Sequence, residues 1–132
     1  MEQGESIILT EVRLRRRSEI KDATNLVGHK KKVIPKTTAN MVDTELYELV
    51  TQEKHGTSFS LNMMKLRSGG EVKRQSHPDL HAIYILSGNC RVLLGDEWVD
   101  MEQGGYAYIP PGLPHSFTNV GTDPTEVLIL KL

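Results

Sequence analysis

The chain lacks most of the features that assign a class at a glance. It has one cysteine, Cys90, in 132 residues, so no internal disulfide framework is available and a reducing, cytoplasmic setting is expected. Charge of neither sign prevails. Sixteen basic residues stand against 17 acidic ones, and no overall field would draw the chain to nucleic acid or to an anionic membrane. No apolar run approaches the roughly 18–20 residues of a membrane span. The N-terminus does not read as a signal peptide, because Ile7-Ile8-Leu9 is short and acidic residues precede it. Helical periodicity is almost absent. So are a glycine-rich phosphate loop, a serine-centred nucleophile motif, paired carboxylates, internal repeats and low-complexity tracts.

What remains is a series of short strand-like segments punctuated by glycine and proline. Residues 1–17 read as an arm that becomes a strand, with Val12 and Leu14 alternating with Glu11, Arg13 and Arg15. Arg15-Arg16-Arg17 and Lys30-Lys31-Lys32 carry no interleaved aromatics and read as solvated edges rather than phosphate-binding patches. Residues 18–28 leave room for one helical turn before Gly28. Lys31 to Ile34 reads as a short strand ended by Pro35, and 36–44 as a loop and candidate lid. Glu45 to Val50 is expected as a strand, His55-Gly56 as a break, Ser58 to Leu66 as a strand and Ser68-Gly69-Gly70 as a turn.

Further strands are expected over His81–Leu86, Tyr106–Ile109, Ser116–Val120 and Val127–Leu132. Arg91–Leu94 and Trp98–Met101 form a hairpin around Gly95-Asp96-Glu97. Strands recurring roughly every 8–12 residues imply an all-β sandwich or barrel. The length fits a single domain over 1–132.

Four side chains between Gly69 and Asn119 carry the chemistry: Gln75, His77, His81 and His115. Gln75 and His77 are two apart and share a face on a strand. Pro78 then breaks the ladder and re-aims the chain toward His81. His115 arrives from a separate strand after Pro110-Pro111-Gly112-Leu113-Pro114. Any one of these histidines alone reads as a surface or packing residue. Three imidazoles, each beside a Gly or Pro device that fixes its direction, point to a metal ion.

The spacing resembles the two motifs of the cupin superfamily. Gly69, Gln75-Ser76-His77, His81 and Gly88 follow the first; Gly104, Pro110, Gly112, His115 and Asn119 follow the second at every place. Together the motifs cover 69–119. His81 stands where glutamate is usual, which is similar to the small single-domain cupins whose metal is held by four histidines; Gln75 stands where a first histidine is usual and departs from that pattern. The apolar outer face over Ile7 to Leu14 and Val127 to Leu132 suggests partner strands and a homodimer with exchanged N-terminal arms. The resemblance implies a double-stranded β-helix, the cupin jelly roll. It further implies oxygen-dependent chemistry, a dioxygenase or related oxidoreductase, on a small organic substrate. A non-redox lyase, isomerase or cyclase that stabilises an enolate stands beside it, and a binding module without catalysis is the third reading.

The residues leave several roles open. One divalent ion is expected; Fe, Mn, Zn, Ni and Cu all suit imidazole, with oxygen donors in the case of Mn. Gln75 either ligates through its amide oxygen or hydrogen-bonds a bound water. With no carboxylate among the ligands the ion keeps its full charge and favours an anionic, chelating substrate. Tyr84, Tyr106 and Tyr108 are weak catalytic candidates as proton donors, with half-buried packing the alternative. Met63 and Phe117 are expected to wall the substrate pocket. Asp79 reads as a solvated turn residue, Asn119 as a structural tie, His29 and His55 as surface residues, and Cys90 as a buried, inert thiol.

Overall fold

The computed structural model describes residues 26–132. The expected arm over 1–17, its basic cluster and most of the 18–28 turn lie outside the described residues, so the arm exchange has no counterpart below. The described chain forms eight strands: β1 (Met41–Val50), β2 (Ser60–Gln75), β3 (His81–Ser87), β4 (Asn89–Leu94), β5 (Glu97–Glu102), β6 (Tyr106–Ile109), β7 (His115–Thr118) and β8 (Thr125–Lys131). One short helix, α1 (Gln52–His55), sits between β1 and β2. Every strand pairing is antiparallel, in the order β5-β4-β7-β2-β8-β3-β6, with β1 added beside β2. The edge strands are drawn together where Gly104 and Gly105 exchange backbone hydrogen bonds with Ile85. The result is a nearly closed barrel, the jelly roll expected from the sequence.

Alternation builds the interior. Ile83 and Ile85 of β3, Val127 and Ile129 of β8, Val92 of β4 and Phe117 of β7 point inward and are buried. Their β-branched and aromatic side chains suit a pleated surface packed on one face. The hairpin between β4 and β5 turns at Gly95-Asp96, with Leu94 opposite Glu97 and Gly95 at φ 66°.

Strand β2 serves two partners. Ser60 to Leu66 pairs with β8, and Glu71 to Gln75 pairs with β7. Between them the register against β1 slips: Leu66 faces Thr44, but Glu71 faces Val42. The expected turn at Ser68-Gly69-Gly70 is therefore a bulge inside one long strand, not a reversal. Gly69 takes φ 76°, and a Cβ on Gly70 would stand 2.7 Å from the Asp43 carbonyl oxygen.

Asn119 pins this bulge. Its amide donates to the carbonyls of Leu66 (3.1 Å), Arg67 (3.2 Å) and Asp123 (2.8 Å), and its side-chain oxygen accepts from Gly121 N–H (2.9 Å). The expected structural role holds.

Two other local expectations change. Lys31 to Ile34 is no strand; Lys30–Lys32 forms a 3-10 turn capped by the His29 ring, whose Nδ1 accepts from Lys31 N–H. A local acceptor there removes the need for a partner strand. The loop expected over 36–44 is shorter, because β1 begins at Met41 and Lys36 already bridges Leu46. His29 is exposed, while His55 is half-buried and its Nδ1 accepts from Thr51 N–H. Among the described residues no helix is long and apolar enough to cross a membrane.

Removing the pin should loosen the barrel measurably. Asn119→Ala leaves the buried Leu66 carbonyl, two part-buried carbonyls and one N–H without their partner, and the expected loss is about 2 kcal/mol. Urea unfolding checks this; a loss below about 1 kcal/mol would mean that water replaces the amide.

Candidate metal centre

The three histidines stand at or just beyond strand ends, where the chain can turn a ring into the barrel mouth. His77 follows Gln75, the last residue of β2; His81 opens β3; His115 opens β7. His115 faces Gln75 across one pairing and Leu94 across the other. The loops that carry them are tied to each other. Gly112 N–H donates to the His77 carbonyl at 2.6 Å, and Gly112 takes φ 79° to make the turn before His115. The Pro/Gly device thus fixes two ligand positions together.

The rings form a nearly equilateral triangle. Their centroids are 5.2, 5.2 and 5.3 Å apart, and their planes are tilted by 53–59°. One nitrogen of each ring lies within 4.8 Å of the others. His115 is 2 % exposed, and its Nδ1 is 2.9 Å from the Leu113 carbonyl. Nδ1–H donates there, which leaves Nε2 as the lone pair for an ion. His81 Nδ1 is buried with no hydrogen-bond partner. A buried polar atom without a protein partner suits a site completed by something bound.

Burial and the neighbouring rings keep His77 and His81 neutral. Burial lowers the His77 pKa, and His115 and Lys131 lower it further, with Asp79 partly opposing. For His81 burial acts first, then His115, His77 and Lys131, and the pKa falls to about 4. At neutral pH no proton has to be displaced from these two rings before a cation binds. The donor set of three neutral nitrogens fits a divalent transition ion.

Around the triangle lies a cavity of about 350 Å³. Met64, Ile83, Phe117 and Ile129 form its apolar wall, and Lys36, Glu48 and Lys131 bring charge to it. Phe117 is where the sequence put it, its ring edge-on to His115 at 6.0 Å. Met63 is not: alternation on β2 turns Met64 into the cavity and Met63 to the other face. Tyr84, Tyr106 and Tyr108 are all exposed. They alternate with inward Ile83, Ile85, Ala107 and Ile109, and so face away from the site; none lines the cavity. None of the three is placed to give a proton to a guest in the cup.

Gln75 lines the cavity, but its amide oxygen already accepts from Asn40 Nδ2 at 2.5 Å. Asn40 in turn accepts from the Thr38 hydroxyl. One lone pair of the oxygen that would ligate is therefore engaged by the 37–40 loop. Asp79 is a turn residue 3.6 Å from Lys131, and burial pushes the Cys90 thiol up to about 11.

Asn40, Glu48, Asn62 and Lys131 line the site without having been singled out in the sequence. For Lys131 the signal was there. It continues the inward row Val127, Ile129, and a lysine prolonging a buried row is a rim residue. Glu48 and Asn62 needed the β1–β2 register, which the sequence does not print.

A sequence model of the Cupin domain family matches residues 62–131, from β2 to β8. None of the curated proteins matches the chain. Among solved structures, a predicted oxalate decarboxylase from Thermotoga maritima is similar with TM-score 0.73 and 23% identity, covering 80% of this chain and 97% of that one. The polyketide cyclase RemF from Streptomyces resistomycificus gives TM-score 0.73 and 21% identity over 80% and 77% of the two chains. A cupin 2 conserved barrel domain protein from Rhodopseudomonas palustris gives TM-score 0.65 and 25% identity over 75% and 69%. What these proteins share with the chain at such distances is the fold.

Two outcomes follow from the geometry. His77→Ala or His115→Ala should abolish metal retention through desalting, whereas Gln75→Ala weakens it by about tenfold or less and Gln75→His tightens it. Equal metal content in all four variants would remove the site as described.

The second concerns acid. In the unfolded chain His81 protonates near its ordinary 6.5, in the folded one only near 4. Between these values the unfolded state binds more protons, so stability is full above pH 6.5 and declines as pH falls toward 4. Chelator-treated protein should lose urea midpoint between pH 7 and 5, and His81→Gln should lose less. A flat wild-type profile would contradict the neutral, buried ring.

Proposed function

The chain belongs to the cupin family, and from that premise we propose that it is a metal-dependent enzyme holding one divalent ion on His77, His81 and His115 and acting on a small anionic organic molecule. One observation carries this reading: the ion's protein ligands are all neutral, inside a cup whose charged lining is two lysines against one glutamate. A dication there keeps its full charge, and only an anionic guest balances it.

When bound, the ion supplies Lewis acidity, polarising a carbonyl or carboxylate and stabilising an enolate. The protein's own groups do the rest. Lys131, on the strand beside His81, and Lys36 draw an anion to the mouth. Their ion pairs with Asp79 (3.6 Å) and Glu48 (3.2 Å) are partly exposed and open at little cost. Met64, Phe117 and Ile129 strip water from the guest's apolar part, which strengthens every charge interaction inside the cup. Glu48 is the one carboxylate among the described residues that line the cavity, and so the group in reach to take a proton from the guest.

An ion that keeps its full charge favours non-redox enolate or carboxylate chemistry, and a predicted oxalate decarboxylase and a polyketide cyclase are among the similar folds. Oxygen-dependent cleavage is the second reading. The apolar wall beside the triad supports it, since it leaves room for an organic guest and dioxygen together.

Metal analysis of purified protein, followed by binding of oxalate and pyruvate to the loaded form, tests the proposal. One ion per chain is expected, with the acids bound and their neutral amides not bound. Lys131→Met should weaken the acids about fivefold, or ~1 kcal/mol. Oxygen uptake with a bound acid in the iron- or manganese-loaded protein would move the assignment to the oxygenase. Neither metal nor acid binding would leave a cup without catalysis.

A further inference from the structure

Amide side chains at the bulge and in the cup are satisfied within the protein. Asn119 makes four hydrogen bonds, and Asn40 and Gln75 bond each other. Asn62 differs. It is 7 % exposed, lies on the cavity wall, and its Oδ1 is buried without any partner. Its cross-strand neighbours are Ile129 on β8 and Glu48 on β1, and Glu48 is engaged with Lys36 instead. Along β2 the next inward residue is Met64.

An amide left unpaired in such a wall is unfavourable, and an apolar residue of the same shape would be more stable there. A trapped water answers poorly, because it needs several polar partners and Met64 and Ile129 supply none. The group is accounted for if a guest completes it.

We propose that Asn62 is the specificity-determining residue of the cup: it hydrogen-bonds a second polar group on the guest, away from the end held by the ion. The inference rests on the reading of the cup as a metal-held anion site, and adds that the substrate is bifunctional. Two interstrand steps of about 4.8 Å separate β2 from β3 across β8, so the two ends of the guest are several carbon atoms apart. Between them it crosses the apolar surface of Ile83 and Ile129, with Phe117 also on the wall. A terminal hydroxyl suits the amide whichever way it is turned, since a hydroxyl both donates and accepts.

The test uses zinc-loaded protein and two pairs of acids, butyrate with 4-hydroxybutyrate and hexanoate with 6-hydroxyhexanoate, followed by calorimetry. In the wild type one hydroxylated member should bind about tenfold tighter than its parent. In Asn62→Leu that advantage should vanish while the parent acid binds within about twofold of wild type. Metal-free Asn62→Leu should also unfold at higher urea than wild type. Should the leucine variant not fold, Asn62→Ala gives the same binding comparison. If the plain acids bind but the hydroxyl brings no advantage, or keeps its advantage without Asn62, the role of Asn62 is overturned and the metal site stands. If zinc-loaded wild type binds none of these acids but binds oxalate or pyruvate, the role of Asn62 is overturned and the metal site stands; if it binds none of the six, both readings fall.

Discussion

The structure depends on holding three imidazoles close together. A proton on His77 or His81 is opposed first by burial, then by His115 and by Lys131. Nothing in the triangle itself favours its assembly in the absence of a cation; the surrounding backbone must impose it. It does so through bonds that leave the rings' working atoms untouched. Gly112 holds the His77 carbonyl, Leu113 takes the His115 Nδ1 proton, and the β3–β6 and β3–β8 ladders fix His81 opposite Ile109 and Lys131. The site is an arrangement that the fold maintains against local electrostatics, which is the condition for an empty metal site to be ready before the metal arrives.

Strand β2 is the element that makes the cup coherent. Its first half supplies Asn62 and Met64 to the wall, its second half brings Gln75 opposite His115, and the bulge at 67–70 allows both halves to face the same space. Without the bulge, one continuous register would commit the strand to a single neighbour along its whole length. Asn119 closes the connection from the far side: it sits at the end of the second motif yet bonds the carbonyls just before the glycines of the first. The two motifs are thus one structural unit, joined by an amide rather than by the metal.

This explains what could be read from the sequence and what could not. The jelly roll was legible because alternation and Gly/Pro punctuation are local, and the histidines because turn chemistry fixes their direction locally too. The bulge was not legible: Ser68-Gly69-Gly70 carries the composition of a reversal, and only pairing with two different strands keeps it extended. Met63 was chosen over Met64 because face parity across a bulge cannot be counted from the histidines backward. The tyrosines failed for the opposite reason. Their parity was readable against Ile83, Ile85 and Ile109, and strand adjacency alone suggested closeness to the site. Glu48 and Asn40 reach the cup through β1 and the loop before it, and Asn62 stands opposite Glu48 on β2; no local pattern encodes that register.

The cup is graded in polarity, and the grading constrains what occupies it. Lys36, Glu48 and Lys131 offer exposed charge whose existing pairs are weak, so an arriving anion displaces them easily. Next stand neutral imidazoles, which add no negative charge to an ion. Beside them lies apolar surface, where a full positive charge is poorly screened. A dication in that setting is unfavourable unless its vacant positions carry anionic oxygen, so guest and ion stabilise each other. The same apolar surface favours a guest with an apolar part. The proposed guest has an anionic end, an apolar middle and one further polar group; apart from the His81 ring, the buried wall atom without a partner is the Asn62 amide oxygen.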